Sequence, residues 1–539
     1  MFKLALAQIN PTVGDINGNT AKIISYIKKA YSRNADIVIF PELALTGYPP
    51  EDLLNMPEFI NSNIEALDKI RQQTKNITAI VGYVDKGQNG VLYNSAAILS
   101  NKRTLGVYHK MHLPNYGVFD EKRYFIPGNR CRTFNVKKTA MRVNICEDIW
   151  VESGVINKKS GKKRSGILIN ISSSPFHAGK YLERYEMLSR RAIENRGYLG
   201  YVNLIGGQDE LVFDGRSMVF NPGGELIAQA KAFSEDLLVV DIPENKQNVR
   251  YRIQDNEYVE EIYEALKLGL NDYIRKNGFK KVIIGLSGGI DSALTALIAT
   301  DALGPRNVFG FYLPSEFSSR LSRQCAVNLA HNLGIKMLTL PIKNIYQRYL
   351  KSLGLSGRIT ITHENLQARI RGTILMAFAN KIGAIVLTTG NKSEMSTGYA
   401  TLYGDMAGGF ALIKDVPKTL VYKLSSYGNE LFYRNSGKYP IPLEIITRPP
   451  TAELKPNQKD SDTLPDYEVL DPILQAYIEE NMSKGQIAQL TGAPVKMVER
   501  IISMVDRSEY KRRQSPPGVK ITPRAFGKDR RFPITNKFS

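Results

Sequence analysis

The sequence predicts a two-domain α/β protein whose second half is a doubly wound parallel sheet. Three observations carry that expectation. Short apolar runs alternate with helical stretches through roughly the first 240 residues, an α/β signature. A polar stretch over 243–256, Pro-Glu-Asn-Lys-Gln-Asn-Val-Arg-Tyr-Arg-Ile-Gln-Asp-Asn, then breaks the pattern and reads as a linker. Beyond it the alternation resumes, which favours ligands at the carboxyl ends of parallel strands. The expected organisation is a first domain over 1–245, a linker over 246–256 and a second domain over 257–539.

In the first domain the expected strands are 3–9, 36–40, 78–84, 92–99, 141–146, 166–171, 199–205, 216–221 and 237–242. In the second, a helix over about 257–276 leads into a strand at 281–286, and 308–313, 336–340 and 384–388 are further strands. The segments 352–361 and 448–465 read as loops that order on binding, the latter being too polar and proline-rich for a packed element. Residues 484–505 have a helix-turn-helix cadence. Structural two-helix units share that cadence far more often than DNA readers do.

Composition bounds the function. At 539 residues, 43% hydrophobic and 23% charged, the chain has material for more than one core. Three cysteines (Cys131, Cys146, Cys325) make no disulfide framework and suit a reducing compartment. The first residues carry too short an apolar run for a signal peptide or a membrane span, so the expectation is cytoplasmic with no membrane partner. A formal charge of +20 invites nucleic acid, but the basic residues are dispersed apart from 158–159, 162–164, 511–513 and 528–531. Runs of this size are usually solvated surface, and anionic small-molecule substrates account for the charge as well.

The most specific string is Gly285-Leu286-Ser287-Gly288-Gly289-Ile290-Asp291-Ser292, between a buried strand and an apolar helix. Its glycines free the backbone to wrap an anion, and the helix start aims unpaired N–H groups and a positive dipole at it. The usual nucleotide loop requires a lysine that is missing here. Asp291 instead supplies a carboxylate where Mg²⁺ would sit beside a pyrophosphate. The string resembles the loop of ATP pyrophosphatases, which split ATP to AMP and pyrophosphate while activating a substrate as an adenylate.

Three pieces of the first domain place reactive side chains just past apolar strands: Glu42 in Phe-Pro-Glu-Leu, Lys110 in Tyr-His-Lys-Met-His-Leu and Cys146 in Asn-Ile-Cys-Glu-Asp-Ile-Trp. A cysteine with a carboxylate base needs no histidine. Glu42 takes the thiol proton, while Lys110 lowers the thiolate pKa and, with the backbone N–H of Glu147, stabilises an oxyanion. Singly, each residue has a bland reading: a strand-end cysteine is commonly buried and inert, and a glutamate or lysine is commonly surface. His109 and His112 flank Lys110 with strand-like alternation and read as scaffold.

Together these pieces resemble the nitrilase superfamily over about residues 1–245, through Pro-Glu-Leu-Ala-Leu-Thr-Gly-Tyr-Pro at 41–49, Lys-Met-His-Leu-Pro-Asn-Tyr at 110–116 and the segment at 144–150. That resemblance implies an αββα sandwich and a Glu-Lys-Cys triad that cleaves carbon–nitrogen bonds through a thioester. Glu121 matches an additional family glutamate that supports the lysine and the substrate.

With both halves taken together, the chain resembles the glutamine-dependent NAD⁺ synthetase family. The strings His-Glu-Asn-Leu-Gln-Ala-Arg at 363–369, Leu-Thr-Thr-Gly-Asn-Lys-Ser-Glu at 387–394 and Tyr-Gly-Asp-Met-Ala-Gly-Gly at 403–409 carry the likeness. Matched residue by residue, it implies glutamine recognition by Tyr116, Glu121, Ser174 and Lys180. It implies ATP binding by Gly285, Leu286, Ser287, Gly288, Gly289, Ile290, Asp291 and Ser292 with Thr389 and Lys418. Asp291 and Glu394 are implied as Mg²⁺ ligands, and Asn365, Arg369, Glu394 and Lys511 as contacts for deamido-NAD⁺. Lys180 stands where arginine is frequent, which keeps the charge and loses the bidentate fork. Leu402 replaces a lysine found in shorter, ammonia-dependent relatives. The resemblance further implies a homo-oligomer formed through the synthetase domain.

Physical logic supports the pairing of domains. A carboxylate is a poor acyl donor until adenylation gives it AMP as a leaving group, and ammonium is not nucleophilic, so an enclosed route for ammonia is a reason to fuse the two. Rival readings each lack something. GMP and asparagine synthetases pair a pyrophosphatase loop with other glutaminases, one of which needs a cysteine where Phe2 stands. An RNA-modifying pyrophosphatase has no use for Glu42, Lys110 and Cys146. A nitrilase fused to a regulatory domain does not need both Asp291 and Glu394.

Overall fold

A computed structural model describes residues 2–151, 166–243, 257–456, 458 and 460–538. The chain separates into two compact units, Met1–Asp255 and Asn256–Ser539. The stretch read as a linker over 246–256, and the basic runs at 158–159 and 162–164, lie outside the described residues.

Two six-stranded sheets make up the first unit. One has the spatial order Asp236–Ile242, Phe2–Gln8, Ile37–Ile39, Thr78–Lys86, Leu92–Ser100, Arg103–His109. The other runs Leu226–Gln229, Met218–Phe220, Tyr198–Asn203, Ile167–Ser172, Thr139–Ile145, Thr133–Val136. Alternating side chains give each sheet two apolar faces. Leu4, Leu6, Ile37, Ile39 and Ile80 meet Val143, Ile145, Ile167, Ile169 and Ile171 in one shared core. Ala5, Ala7, Val38, Ala79 and Val81 face outward onto the helices Ile16–Ser32 and Pro57–Arg71. Leu168, Leu199, Tyr201 and Met218 face outward onto the helix Lys180–Asn195. The result is the expected helix–sheet–sheet–helix sandwich.

Parallel pairing at the centre of each sheet decides where the chemistry falls. Leu4, Ala5 and Leu6 pair in parallel with Ile37, Val38 and Ile39, and Met141 through Ile145 pair in parallel with Ile167 through Ile171. Glu42, Cys146 and Ser173–Ser174 therefore all follow carboxyl ends of parallel strands. Several short elements were not legible in the sequence: the hairpin Ile205–Gln208 with Leu211–Asp214, the strands Thr133–Val136 and Leu226–Gln229, and Phe410–Ala411 in the second unit.

A parallel five-stranded sheet forms the second unit, in the order Lys336–Thr339, Val308–Tyr312, Lys281–Gly285, Ala384–Thr388, Phe410–Ala411. The chain leaves the central strand at Gly285; its next strand lies on one side and Ala384–Thr388 on the other, a topological switch point. The helix that follows, Ile290–Leu303, is apolar nearly all round, with Ala293 through Thr300 buried in succession. Such a helix has to be covered on every side, and the helices Glu257–Lys276 and Lys418–Ser436 pack on it opposite the sheet.

The helix-turn-helix cadence becomes two helices, Lys484–Thr491 and Val495–Arg507. Ile487, Val498, Ile501 and Val505 pack with Leu470, Ile473 and Leu474 into one hydrophobic cluster, so the pair is a structural unit. The basic runs at 511–513 and 528–531 are not simply solvated surface. Arg512 and Arg530 are buried, their guanidinium groups over Phe526 and over Phe526 and Phe532 respectively. No helix of the described residues is long and apolar enough to cross a membrane.

Candidate active sites

In the first unit the strand ends deliver a buried ion cluster. Lys110 Nζ donates to Glu42 Oε1 at 2.7 Å and to Glu121 Oε1 at 2.8 Å, and the three side chains are almost wholly shielded from solvent. Asn94 Nδ2 donates to Glu42 Oε1 at 2.7 Å, Ser173 N donates to Glu42 Oε2 at 2.9 Å, and Tyr48 Oη donates to Glu121 Oε1 at 2.9 Å. Buried charges persist only when paired and hydrogen-bonded in this way. Behind Glu42 the backbone packs so closely on Gly82 that a Cβ there would lie 2.3 Å from the Pro41 carbonyl oxygen.

Cys146 opens a short 3-10 turn, Cys146–Ile149, and its φ is +43°, in the left-handed region that non-glycine residues rarely occupy. Strain of this kind persists where surrounding structure over-determines it, commonly at functional sites. The bend sets the thiol at the end of its strand, with the first amides of the turn, Glu147 included, at the N-terminal end where helical N–H groups lack intrahelical acceptors.

Opposing influences act on the Cys146 thiol. Burial and then the Glu42 carboxylate push the Cys146 thiol well above its ordinary value, and Lys110 opposes them only in part. Lys110 thus acts in the direction expected from sequence, and burial outweighs it. Burial also pulls down the Lys110 ammonium, but Glu121, Glu42 and Cys146 reverse that, and Lys110 stays charged. The two histidines pair with other carboxylates: His109 Nε2 lies 2.8 Å from Asp85 Oδ2 with its ring stacked on Tyr93, and His112 Nδ1 lies 3.1 Å from Asp148 Oδ1.

The residues expected to recognise glutamine sit around the elbow. Tyr116 is exposed and donates its hydroxyl to Glu147 Oε2 at 2.8 Å. Ser174 is buried, its N–H donating to Asn203 Oδ1 at 2.9 Å. Lys180 lies 4.3 Å from the centre of the Trp150 ring and 2.9 Å from Glu183. Glu121 faces inward, onto Lys110 and Tyr48.

In the second unit the glycine loop borders a cavity of about 290 Å³ at the carboxyl ends of the strands. Gly285, Leu286, Ser287, Gly289, Ile290, Asp291, Ser292, Thr389, Glu394 and Lys418 all line it. Gly288 does not; its φ is +80°, and a Cβ there would lie 2.4 Å from the Ser322 carbonyl oxygen. The loop braces itself, with Ser292 Oγ donating to the Gly289 carbonyl and Gly289 N to Ser287 Oγ. Thr451–Leu454 and Arg448, from the segment expected to order on binding, form another wall.

Asp291 accepts from Asn391 Nδ2 at 2.9 Å and from Lys418 Nζ, and Lys418 Nζ also lies 3.6 Å from Glu394 Oε1. Burial first, then Asp291, pushes the Glu394 carboxyl up to about 8. Two carboxylates that repel one another beside a phosphate-shaped loop are the oxygen donor set Mg²⁺ prefers, so the residues fit that ion. Among the described residues no three acidic, histidine or cysteine side chains converge on a metal position. Asp291 and Glu394 are the two carboxylates that would hold the ion.

Asn365, Arg369 and Lys511 do not line this cavity. They converge instead on the segment 398–402: Thr401 Oγ1 donates to Asn365 Oδ1 at 2.9 Å, Arg369 Nε to the Leu402 carbonyl at 3.2 Å, and Lys511 Nζ to the Gly398 and Ala400 carbonyls at 2.7 and 2.8 Å.

Comparison with known proteins fits this geometry. A carbon-nitrogen hydrolase family model matches residues 3–251 and an NAD synthase family model matches 262–515. The glutamine-dependent NAD(+) synthetase of Aquifex aeolicus is 47% identical over the whole of both chains. This chain belongs to the glutamine-dependent NAD(+) synthetase family. The Thermotoga maritima member is 46% identical over 100% of this chain and 99% of its own. A glutamine-dependent NAD+ synthetase from Acinetobacter baumannii, solved in complex with ADP, shares 42% identity, covers 99% of this chain and 98% of its own, and superposes with a TM-score of 0.78. The Cytophaga hutchinsonii member, at 25% identity over 99% and 98% of the two chains, gives a TM-score of 0.84.

Sequence reasoning missed Asn94, Tyr48 and Asp148, which hydrogen-bond to Glu42, to Glu121 and to the amides of Ile145, Met111 and His112 respectively. Asn94 lies within a strand and Tyr48 in a loop, where no local pattern marks them. The one available signal was the alternation over 92–99, which puts Asn94 on the inward face where a polar residue needs a partner.

Proposed function

We propose that this chain makes NAD⁺ from deamido-NAD⁺, ATP and glutamine, releasing AMP, pyrophosphate and glutamate. The observation that carries the reading is one chain bearing both the buried Glu42–Lys110 cluster with its cysteine elbow and the glycine-loop cavity, in a sequence aligned end to end with enzymes of that name.

In the first unit Cys146 Sγ attacks the carboxamide carbon of glutamine. Because the thiol is raised, its proton leaves during attack rather than before it, and Glu42 is the acceptor. The developing oxyanion is met by the Lys110 ammonium and the Glu147 N–H. Ammonia departs with the proton held by Glu42, leaving a thioester. Glu42 then takes a proton from water, whose oxygen attacks the thioester and frees glutamate and the thiol. Tyr116, Ser174 and Lys180, with Glu121 behind Lys110, hold the substrate's polar ends.

In the second unit the carboxylate of deamido-NAD⁺ attacks the α-phosphorus of ATP, and pyrophosphate leaves into the loop formed by Gly285 through Ser292. Backbone N–H groups and the helix N-terminus neutralise it by position alone. Thr389 and Lys418 fix the nucleotide, and Asn365, Arg369 and Lys511 act through the segment they hold. Mg²⁺, held by Asp291 and Glu394, would offset phosphate charge during departure of pyrophosphate. Ammonia then attacks the adenylate carbonyl and AMP leaves. A homo-oligomer through the synthetase unit is part of the same reading, tested by light-scattering mass.

The test is product analysis with purified protein, Mg²⁺, ATP, deamido-NAD⁺ and glutamine carrying ¹⁵N in its amide. NAD⁺ containing ¹⁵N with one AMP formed per NAD⁺ is the expected result. ADP as the only nucleotide product overturns the adenylation step.

A further inference from the structure

We propose that Asp148 is the positioning residue of the glutaminase site, one buried carboxylate that ties the strand end carrying Lys110 to the elbow carrying Cys146. The proposal rests on the glutaminase reading given above.

Asp148 lies two residues beyond Cys146 and is fully buried. Its Oδ1 accepts from Met111 N at 3.1 Å and His112 N at 2.8 Å, the two amides that follow Lys110, and lies 3.1 Å from His112 Nδ1. Its Oδ2 accepts from Ile145 N at 3.0 Å, the residue before Cys146, and from Tyr108 Oη at 2.8 Å. Each oxygen thus engages the Lys110 segment, and Oδ2 also holds the approach to the nucleophile.

The backbone bonds of Lys110 itself do not make this link. Lys110 N donates to the Asn94 carbonyl of its own sheet at 2.8 Å, and the Lys110 carbonyl accepts from Gly128 N at 2.8 Å, in the loop before Thr133–Val136. The first of these bonds sets Lys110 within one sheet, while Cys146 ends a strand of the other. A residue capping its own turn would need only the Ile145 bond. The two amides more than thirty positions away serve a different end: they set the distance between ammonium and sulfur. Held carboxylates accepting several N–H bonds are strong, directional anchors in a buried site. A displacement of about 1 Å at such a site costs on the order of 10²-fold in rate.

The test compares Asp148→Asn and Asp148→Ala with Cys146→Ala, each in the full chain. Asparagine keeps one acceptor oxygen and can serve only one side of the link; alanine serves neither. In Asp148→Asn we expect kcat for glutamine hydrolysis to fall by roughly 10- to 100-fold with KM for glutamine within about threefold. Asp148→Ala should fall further, and ammonia-dependent NAD⁺ synthesis should persist in both. A wild-type kcat in Asp148→Asn overturns the proposal. So does a loss of kcat accompanied by an equal rise in KM and a lowered melting temperature, because that is the mark of a merely structural residue. Should both variants fail to fold, Tyr108→Phe removes a single bond to Oδ2. A roughly three- to tenfold loss of kcat at constant KM supports the proposal there, and no change overturns it. The Cys146→Ala arm separates the two ideas: if that variant still uses glutamine, the glutaminase reading fails, whatever Asp148 does.

Discussion

Lys110 and Glu121 form a buried ion pair, Nζ to Oε1 2.8 Å, in which the carboxylate is the reluctant partner. Burial pushes the Glu121 carboxyl up to about 7, with Lys110 opposing and Glu42 assisting. A second carboxylate on one lysine holds the ammonium in place and also adds negative charge near Cys146, which raises the thiol further.

The sign of that pairing sets a pH dependence. A carboxyl raised from 4.5 to about 7 in the folded protein contributes stability that is fully present below 4.5 and lost as pH rises through about 7. Glu121→Gln lacks this loss. The melting temperature of the glutaminase unit in Glu121→Gln, relative to wild type, should therefore rise between pH 5 and pH 8. A difference that is constant or falls over that range contradicts the assignment.

Glu42 and Lys110 are separable by their effects on Cys146. Glu42→Gln removes the proton acceptor, and glutamine hydrolysis should fall by roughly 10²- to 10⁴-fold. Lys110→Met removes a positive charge that lowers the thiol, so the pH midpoint of iodoacetamide labelling at Cys146 should move upward. Lys110→Arg keeps the charge without the compact ammonium and should rescue little. Unchanged turnover in Glu42→Gln would reopen the question of the base.

Gly288 is constrained by space as well as by φ. Any side chain there meets the Ser322 backbone at 2.4 Å in a conformation at φ +80°. Gly288→Ala should distort the loop at a cost of about 1–3 kcal/mol and weaken ATP binding measured by calorimetry. Wild-type affinity in this variant would show that the loop adapts.

Asp291→Asn is nearly isosteric, so folding should change little. It removes a formal charge from the group that faces Lys418 and Glu394. NAD⁺ formation should fall by roughly 10²- to 10³-fold with glutamine and ammonia alike. Near-normal ammonia-dependent turnover removes Asp291 from the mechanism.

How much of this was legible follows from where each residue sits. Glu42 and Cys146 directly follow apolar strands, and the periodicity of two that marks those strands also marks their ends. The loop at 285–292 is a contiguous string, so its place between a buried strand and an apolar helix was readable before any fold was known. Asn94, Tyr48 and Asp148 act across long sequence separations, from 27 and 52 positions for Asn94 to 73 for Tyr48. No local pattern encodes such partners. The direction in which Lys110 acts on the Cys146 thiol was legible, whereas the burial that outweighs it is not visible in sequence. Asn365, Arg369 and Lys511 were expected, from the family resemblance, as contacts for deamido-NAD⁺. That they close on the segment 398–402 rather than line the cavity depends on packing alone.

The central claim is that Cys146 supplies nitrogen to a second, independently competent site. The direct measurement is the rate of NAD⁺ formation by Cys146→Ala with glutamine and with ammonium, beside wild type and beside Cys325→Ala as a control. Glutamine-dependent synthesis should vanish in Cys146→Ala while ammonium-dependent synthesis stays within a few-fold of wild type, and Cys325→Ala should retain both. Equal loss with both nitrogen donors, or retained use of glutamine, would contradict the account.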